Sequence, residues 1–437
     1  MEHDLAVRAA ERQRCPDCGD TLVTTDERFA RWCAACDWNV DPAPPESEPG
    51  RLAAARRRLA RRHGEELAAA MSGGRASRPR RDAASVLALG IALLVHGATL
   101  GLAVAGGLLV VLGWETVVQP VGGVVLLMVA FVLRPRMHRI PQDGPVLYRA
   151  DAPRLFELID EVAAVTGTAG VHVVVVRSDF NAAVTAYGWR QRRALFLGLG
   201  LWEVLAPQER VALLGHELGH FAHGDVRHGL LTHQALRSLA LWVDTLAPSR
   251  AHTVWDTLFN ILGYLPRCAA YGLLALLDHL TLRAAQRAEY EADLSAARAG
   301  STGGAVGLME RLLLADSVQT LMRRESAAAR MTGGAAGRAA REAAERGWWE
   351  RVAAHVSSIP AHEYERLLRV SARRGHGVDD THPPTHLRRR CLTLSEPLPA
   401  QVVLGEERAT AVTGELASAR ATLARQVVDF GRAVSDC

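Results

Sequence analysis

From Ser85 to Leu112 no residue carries a formal charge, and His96 is the one titratable side chain in the stretch. As a helix it would reach about 42 Å at about 1.5 Å per residue, more than the roughly 30 Å of hydrocarbon in a bilayer. Gly113-Trp114-Glu115-Thr116 breaks the run with Trp114 at interfacial depth, and Val117 to Leu133 is a second, shorter apolar run with Gln119-Pro120 near its start. The two predict a transmembrane helical hairpin over 83–134. Arg80 and Arg81 precede it and Arg134, Arg136 and Arg139 follow it, whereas the turn carries Glu115. Positive flanks stay on the cytoplasmic side, so both ends of the hairpin are expected there. The run starts too far into the chain for a signal peptide. His96 reads as a packed or interfacial residue, and an intramembrane ionisable group is worth a test.

Ahead of the hairpin, Cys15-Pro16-Asp17-Cys18 and Cys33-Ala34-Ala35-Cys36 form two CxxC knuckles. Cys15, Cys18, Cys33 and Cys36 predict a structural zinc ribbon over 1–40, because four thiolates around one cation replace the core that so short a segment lacks. Two disulfides are the rival reading. A reduced, metallated ribbon needs a reducing compartment, which agrees with a cytoplasmic N-terminus. The residues between the knuckles include Asp20, Asp26, Glu27, Arg28 and Arg31 rather than a basic aromatic surface, so a structural or protein-docking role is favoured over nucleic acid. The other cysteines, Cys268, Cys391 and Cys437, follow no pattern. Residues 41–82 read as a Pro-rich linker, Asp41 to Gly50, and a basic juxtamembrane helix, Arg51 to Ala70, expected at the anionic membrane face. Gly73-Gly74 and Ser77-Arg78-Pro79 break that helix from the hairpin.

The chemistry is concentrated in His216-Glu217-Leu218-Gly219-His220. Residues four apart share a helix face, so two imidazoles converge on one Zn²⁺ and Glu217 lies beside the open coordination position as a general base. Ala206-Pro207 opens this helix, and Val211, Leu214 and Leu218 recur at helical spacing, which predicts burial. A third ligand is expected from Gln286-Arg287-Ala288-Glu289-Tyr290-Glu291-Ala292-Asp293. Glu289 and Asp293 lie one turn apart, so one can close a His₂Glu site while the other accepts a hydrogen bond from a ligating imidazole. Glu291 points elsewhere. A third histidine at metzincin spacing is absent, and His223 reads as a surface residue or a partner behind the ligands.

These motifs, taken in order, resemble the HtpX-like and CAAX-prenyl-protease-like integral-membrane zinc metallopeptidases, the gluzincin type. The likeness rests on Asn181-Ala182-Ala183-Val184, Gly198 to Leu205, His216 to His220, Glu289 to Asp293, and Thr381-His382-Pro383-Pro384 with Arg388 downstream, and it runs from about Gln142 to Leu394. It implies His216, His220 and Glu289 as zinc ligands, Glu217 as the base, and Asp293 as the carboxylate behind a ligand. Many members carry Arg where this chain has Gln286, and Arg287 and Arg283 are the nearby substitutes. His382 or Arg388 is a candidate for stabilising the oxyanion, with His382 the catalytic choice and Arg388 placed beside Asp293 behind the ligands, and a fold-stabilising turn at His382-Pro383-Pro384 is the other reading.

The fold expected for 135–396 is mainly α with a small β-sheet, an α+β zincin-like core. Ala152 to Val165 reads as a helix and Val171 to Arg177 as a strand, while Asn181 to Trp189 and Arg193 to Leu199 read as a hairpin whose exposed edge can accept a substrate strand. Leu230 to Leu246 and Thr257 to Leu282 are long apolar helices, the second broken by Pro266, that either span the bilayer or lie buried or interfacial. Gly333 to Gly337 reads as a loop or lid and Trp348-Trp349 as a packing anchor. Residues 397–437 read as one amphipathic helical tail. Among the 437 residues there is no lysine, and the net charge of +4 is too small to select a partner.

The whole predicts a multi-pass membrane protein with ribbon and catalytic domain on the cytoplasmic side. It would be a zinc-dependent endopeptidase with one catalytic and one structural zinc. Its substrates are expected to be polypeptides, membrane or misfolded proteins. Prenylated peptides fit less well, since that enzyme's large set of spans is missing. A catalytically idle membrane scaffold that presents the ribbon to a protein or nucleic-acid partner is the alternative. Nothing in the chain speaks to oligomeric state.

Overall fold

The computed structural model describes residues 14–22, 26–42, 51–72, 83–135, 144–188, 190–222, 225–250, 253–331, 334–374 and 382–430. Linker residues 43–50, the breakers at 73–79, Arg80, Arg81, Arg136, Arg139, His223, Gly333, Thr381 and Cys437 lie outside the described residues. The chain divides into two compact units, one of Met1–Ala76, Ile140–His220 and Glu289–Cys437, the other of Ser77–Arg139 and Phe221–Ala288.

The first unit is mostly helical around a four-stranded mixed sheet. Its strands are β1 (Val146–Leu147), β2 (Val173–Arg177), β3 (Ala182–Tyr187) and β4 (Arg192–Gly198), in the order β1-β2-β4-β3. The run of four valines in β2 is buried throughout, as an inner strand covered on both faces requires. β2 pairs parallel with β4, while β3 pairs antiparallel with β4 as the hairpin read from sequence. β3 is therefore the outer strand. Gly198 donates to the Asn181 carbonyl at 2.9 Å. That bond fixes the alternation: Ala183, Thr185 and Tyr187 face β4 with their backbone groups, and Ala182, Val184 and Ala186 turn theirs outward.

Helix Pro153–Thr166 packs Leu155, Phe156, Leu158, Ile159 and Val162 into the core. Its first turn is capped across the fold, because Glu415 accepts the N–H groups of Arg154 and Leu155 at 2.8 and 3.0 Å. It ends on Gly167 at φ 74°, where Thr168 donates back to Ala163, the left-handed closure that glycine allows without strain. After β4 a single turn, Leu199–Trp202, leads into helix Pro207–Ala222. Glu209 reaches back to accept the Ala206 N–H at 2.8 Å, so this helix carries half of a capping box.

Three expectations are corrected in and around this unit. Pro266 does not break its helix, which continues from Val254 to Leu312. The discontinuity is at Ser301, with φ 77° and ψ 157°, where the hydroxyl accepts the Gly304 N–H and restarts the helix as an N-cap. The glycine-rich stretch after Gly333 is not a loop, since helix Gly334–Glu345 begins within it; a run of alanines supplies the propensity. The C-terminal tail is two helices, Glu406–Glu415 and Ala417–Phe430, whose Val412, Leu423 and Val428 are buried, as is Leu416 between them. Trp348 and Trp349 are buried too, and Trp349 donates its indole N–H to the Arg420 carbonyl at 3.0 Å.

The second unit holds helices Ala83–Leu112, Val118–Leu133 and Asp225–Thr245 and the start of Val254–Leu312. Among the described residues, Ala83–Leu112 and Val254–Leu312 are long and apolar enough to cross a membrane by length and composition. Val118–Leu133 is a shorter apolar helix of 16 residues. Gly106 and Gly123 let the first two helices touch, for a Cβ on either would lie within 2.8 Å of the other's carbonyl oxygen. Ala88, Ile91, Ala92 and Val95 pack against Ala235, Leu239, Ala270 and Leu277. Leu94, Leu100, Val111, Phe259, Leu262 and Leu265 remain exposed, an outer surface suited to lipid rather than water. His96 is half-buried and places Nε2 3.2 Å from the Leu231 carbonyl.

Candidate metal centres

His216 and His220 share the inner face of helix Pro207–Ala222, and their Nε2 atoms stand 3.3 Å apart with the rings nearly perpendicular. Glu289 reaches both, Oε2 at 3.6 Å from His216 Nε2 and Oε1 at 3.6 Å from His220 Nε2. A cation held tetrahedrally at about 2.0–2.1 Å by N and O donors separates them by roughly 3.3–3.4 Å. The three donors fit that spacing. Glu289 Oε2 is buried, with His382 Nδ1 at 2.8 Å as its nearest polar neighbour among the described contacts.

What lets the two helices come so close is a ladder of small residues. A Cβ on Gly215 would sit 2.9 Å from the Ala299 methyl and 3.0 Å from Ala296 Cα, and one on Gly219 would sit 2.9 Å from Ser295 Cβ and 3.1 Å from Ala292 Cα. Glycines four apart on one helix thus face Ala292, Ser295, Ala296 and Ala299 on the other, and this contact delivers Glu289 to the imidazoles. The ladder is legible as spacing in both segments, but sequence reasoning drew attention only to the polar residues between its rungs.

Behind the donors lies a second layer. His216 Nδ1 is 3.0 Å from Asp293 Oδ1, which fixes the tautomer that leaves Nε2 free to coordinate. Arg388 in turn clamps Asp293, Nε to Oδ2 at 2.8 Å and Nη2 to Oδ1 at 2.6 Å, with Nη2 3.5 Å from Glu289 Oε2. The guanidinium seen on this carboxylate is that of Arg388, and the side chain of Arg283 lies outside the described residues. Burial opposes ionisation of Asp293, yet the Arg388 charge and the bonds from Arg388 and His216 outweigh it, and its carboxyl is held well below the usual range. Burial also disfavours charge on Glu289, but the His382 contact and the surrounding cations bring it down to about 2. His220 goes the other way: burial and the neighbouring His216 lower it to about 4, so it is neutral and ready to ligate at physiological pH.

Glu217 is buried beside these donors, and desolvation raises its pKa. His382 is exposed at the rim with Nδ1 2.8 Å from Glu289 Oε2. His223, outside the described residues, cannot be placed against them.

Cys15, Cys18, Cys33 and Cys36 form the other donor cluster. Sγ of Cys15 is 3.5 Å from that of Cys36, Cys18 is 3.5 Å from Cys33, and all four sulfurs lie within 4.8 Å of one another. A disulfide would need about 2.05 Å, so all four are free thiols; sulfurs held at about 2.3 Å around zinc stand roughly 3.8 Å apart. Cys15 accepts the Gly19 N–H through its carbonyl, and Cys33 accepts that of Asp37, the tight turns that point two sulfurs the same way. Backbone N–H groups of Cys36 and Ala35 draw the Cys33 thiol down to about 7.

The model of peptidase family M48 matches residues 149–395, more than half of the chain. The chain belongs to this family. Its curated relatives include proteins named Protease HtpX from Pseudomonas syringae pv. syringae (strain B728a), 26% identical over 162 residues, and from Pseudomonas putida (strain GB-1), 26% identical over 165 residues. Each alignment covers 36% of this chain and 55% of the relative, so the chain spans about half the length of the curated relatives it matches. No solved structure matches it. The M48 match spans His216, His220 and Glu289 and takes in Asp293, His382 and Arg388, while the ribbon and the apolar hairpin lie outside it.

Proposed function

We propose that this M48 member is a membrane-anchored zinc endopeptidase in which His216, His220 and Glu289 hold the catalytic cation. The observation that carries the reading is the convergence of two Nε2 atoms and one carboxylate at 3.3–3.6 Å beside a buried Glu217. Zinc at this position would polarise a scissile carbonyl and acidify a water molecule. Glu217 is the residue to accept the proton of that water and pass it to the leaving amine; burial raises its pKa, the direction that favours holding the proton between the two transfers. Asp293 orients His216, and Arg388, buried and committed to Asp293, positions that carboxylate rather than meeting substrate. His382 is the exposed side chain at the rim and the better placed of the two to donate to a developing oxyanion.

The substrate is an extended polypeptide that adds to the outer edge of β3, where Ala182, Val184 and Ala186 turn backbone groups outward. Membrane or misfolded proteins fit a protease with apolar helices exposed at their outer surface. Cys15, Cys18, Cys33 and Cys36 hold a second, structural zinc. The arrangement of parts is a ribbon over 1–40, a linker and basic helix over 41–82, a hairpin over 83–134, the peptidase domain over 135–396 and a helical tail over 397–437. The arginines flanking the hairpin and the reduced thiols support a cytoplasmic position for ribbon and active site. The donor set is complete, which weighs against an idle scaffold.

The test is cleavage of unfolded casein by purified protein in detergent, beside Glu217→Gln. The variant should keep its zinc and lose at least about a hundredfold in turnover. Equal turnover in both would exclude this mechanism.

A further inference from the structure

The ribbon is seated on the catalytic unit's own helix Ala361–Arg374. Arg369 Nη1 donates to the Ala34 carbonyl and to Asp37 Oδ1, both at 2.6 Å, and its guanidinium lies 4.9 Å from the centre of the Trp32 ring. Arg366 donates to the Val40 carbonyl at 2.7 Å, and Arg374 meets both Asp41 oxygens at 2.8 Å. Trp32, Val40 and Val370 close an apolar cluster in which Trp32 and Val40 are fully buried, which a free ribbon of this size could not achieve. Ala34 lies between the ligands Cys33 and Cys36. Its carbonyl, the atom Arg369 grips, is therefore placed by the closed knuckle. Asp37 and Asn39 hold left-handed φ values of 61° and 54°, a conformation these two residue types adopt more readily than most, and Asn39 donates to the Arg31 carbonyl at 2.7 Å.

The same helix connects to the metal centre. Ser371 Oγ stands 3.1 Å from His386 Nδ1, in the first turn of helix Thr385–Leu394, which carries Arg388. That helix is also supported from its other side, where Ala68 and Met71 of helix Arg51–Ser72 pack with Leu387 and Cys391. Two N-terminal elements, read in sequence as a structural or protein-docking ribbon and a membrane-surface helix, thus pack against helices Ala361–Arg374 and Thr385–Leu394.

We propose that the Cys₄ ribbon is an internal brace of the catalytic centre, with Arg366 and Arg369 as positioning residues. A cation on the four cysteines closes the knuckle, the knuckle holds helix Ala361–Arg374, and that helix holds Arg388 on Asp293. The knuckle face that would meet a foreign partner is occupied by this chain. The inference rests on the reading of His216, His220 and Glu289 as the catalytic site.

The measurement is zinc affinity at that site, by competition with a chromophoric chelator in full-length Glu217→Gln protein, where no proteolysis intervenes. Arg366→Ala with Arg369→Ala should keep the ribbon zinc yet weaken the catalytic site about tenfold, the usual cost of losing support behind a metal ligand. Amide exchange should quicken across 361–374 and 385–394. Arg408→Ala, which removes a two-bond ion pair with Glu161 elsewhere in the same unit, should leave the affinity unchanged. Unchanged affinity in the double variant overturns the brace alone, as does an equal loss in Arg408→Ala. Absence of any zinc at the histidines would overturn the site itself, and the brace with it.

Discussion

Arg388 and Asp293 form a two-bond ion pair at 2.6 and 2.8 Å with both side chains buried, and Asp293 spends its remaining contact on His216. Such a pair is strongly destabilising to break from one side, by about 3–5 kcal/mol, because the survivor is left buried and uncompensated. Asp293→Asn in the metal-free protein should therefore melt well below wild type at pH 7. The folded pKa of Asp293 is depressed, so its contribution is present above the unfolded value of about 3.9 and is lost as pH falls through the folded value. Melting curves of the two proteins should diverge at neutral pH and begin to converge only as the pH falls below about 4, toward the folded value. A gap that widens in acid would contradict the pairing.

The helix contact makes a second prediction. Gly215→Ala and Gly219→Ala each add a methyl where less than 3.0 Å is available, against Ala299 and Ser295 side chains that have no flexible end to withdraw. Alanine favours a helix over glycine by about 1 kcal/mol, but overpacking costs about 1–3 kcal/mol. The second effect wins, and separation of the helices draws Glu289 from the imidazoles. Thermal melting and zinc titration should both fall; a variant that melts higher and binds zinc normally would show that the helices have room.

A third prediction concerns the outer strand. Val184 turns its N–H away from β4, so Val184→Pro removes a donor to an added strand without removing a rung of the existing ladder. Casein cleavage should drop at least about tenfold through KM while zinc content holds. Thr185→Pro, which faces β4, should instead lower the melting temperature. Equal cleavage by Val184→Pro and wild type would place the substrate elsewhere.

Much of this site was legible in the sequence because its chemistry is local. His216, Glu217 and His220 sit on one helical turn or nearly so, and Glu289 and Asp293 on another, so spacing alone assigned them to faces. The four valines of β2 and the hairpin of β3 and β4 were equally readable from β-branching and turn residues. Long-range relations were not. Arg388 lies 95 residues from Asp293, and nothing in either segment announces the other. Pro266 misled because a proline costs a helix one hydrogen bond, which a long apolar helix with packed neighbours can absorb. The break at Ser301 escaped notice because a serine in a left-handed conformation has no signature beyond the glycines around it. The ribbon's cysteines were plain, whereas its seat on Arg366 and Arg369 depended on two of the chain's many arginines.

The most direct test of the central claim is zinc per chain by elemental mass spectrometry, in wild type and in His216→Ala with His220→Ala. Two ions in wild type and one in the double variant, the remaining ion lost only when Cys15 and Cys18 are also replaced, is the predicted result. Two ions retained after both imidazoles are removed would mean that the cation is held elsewhere.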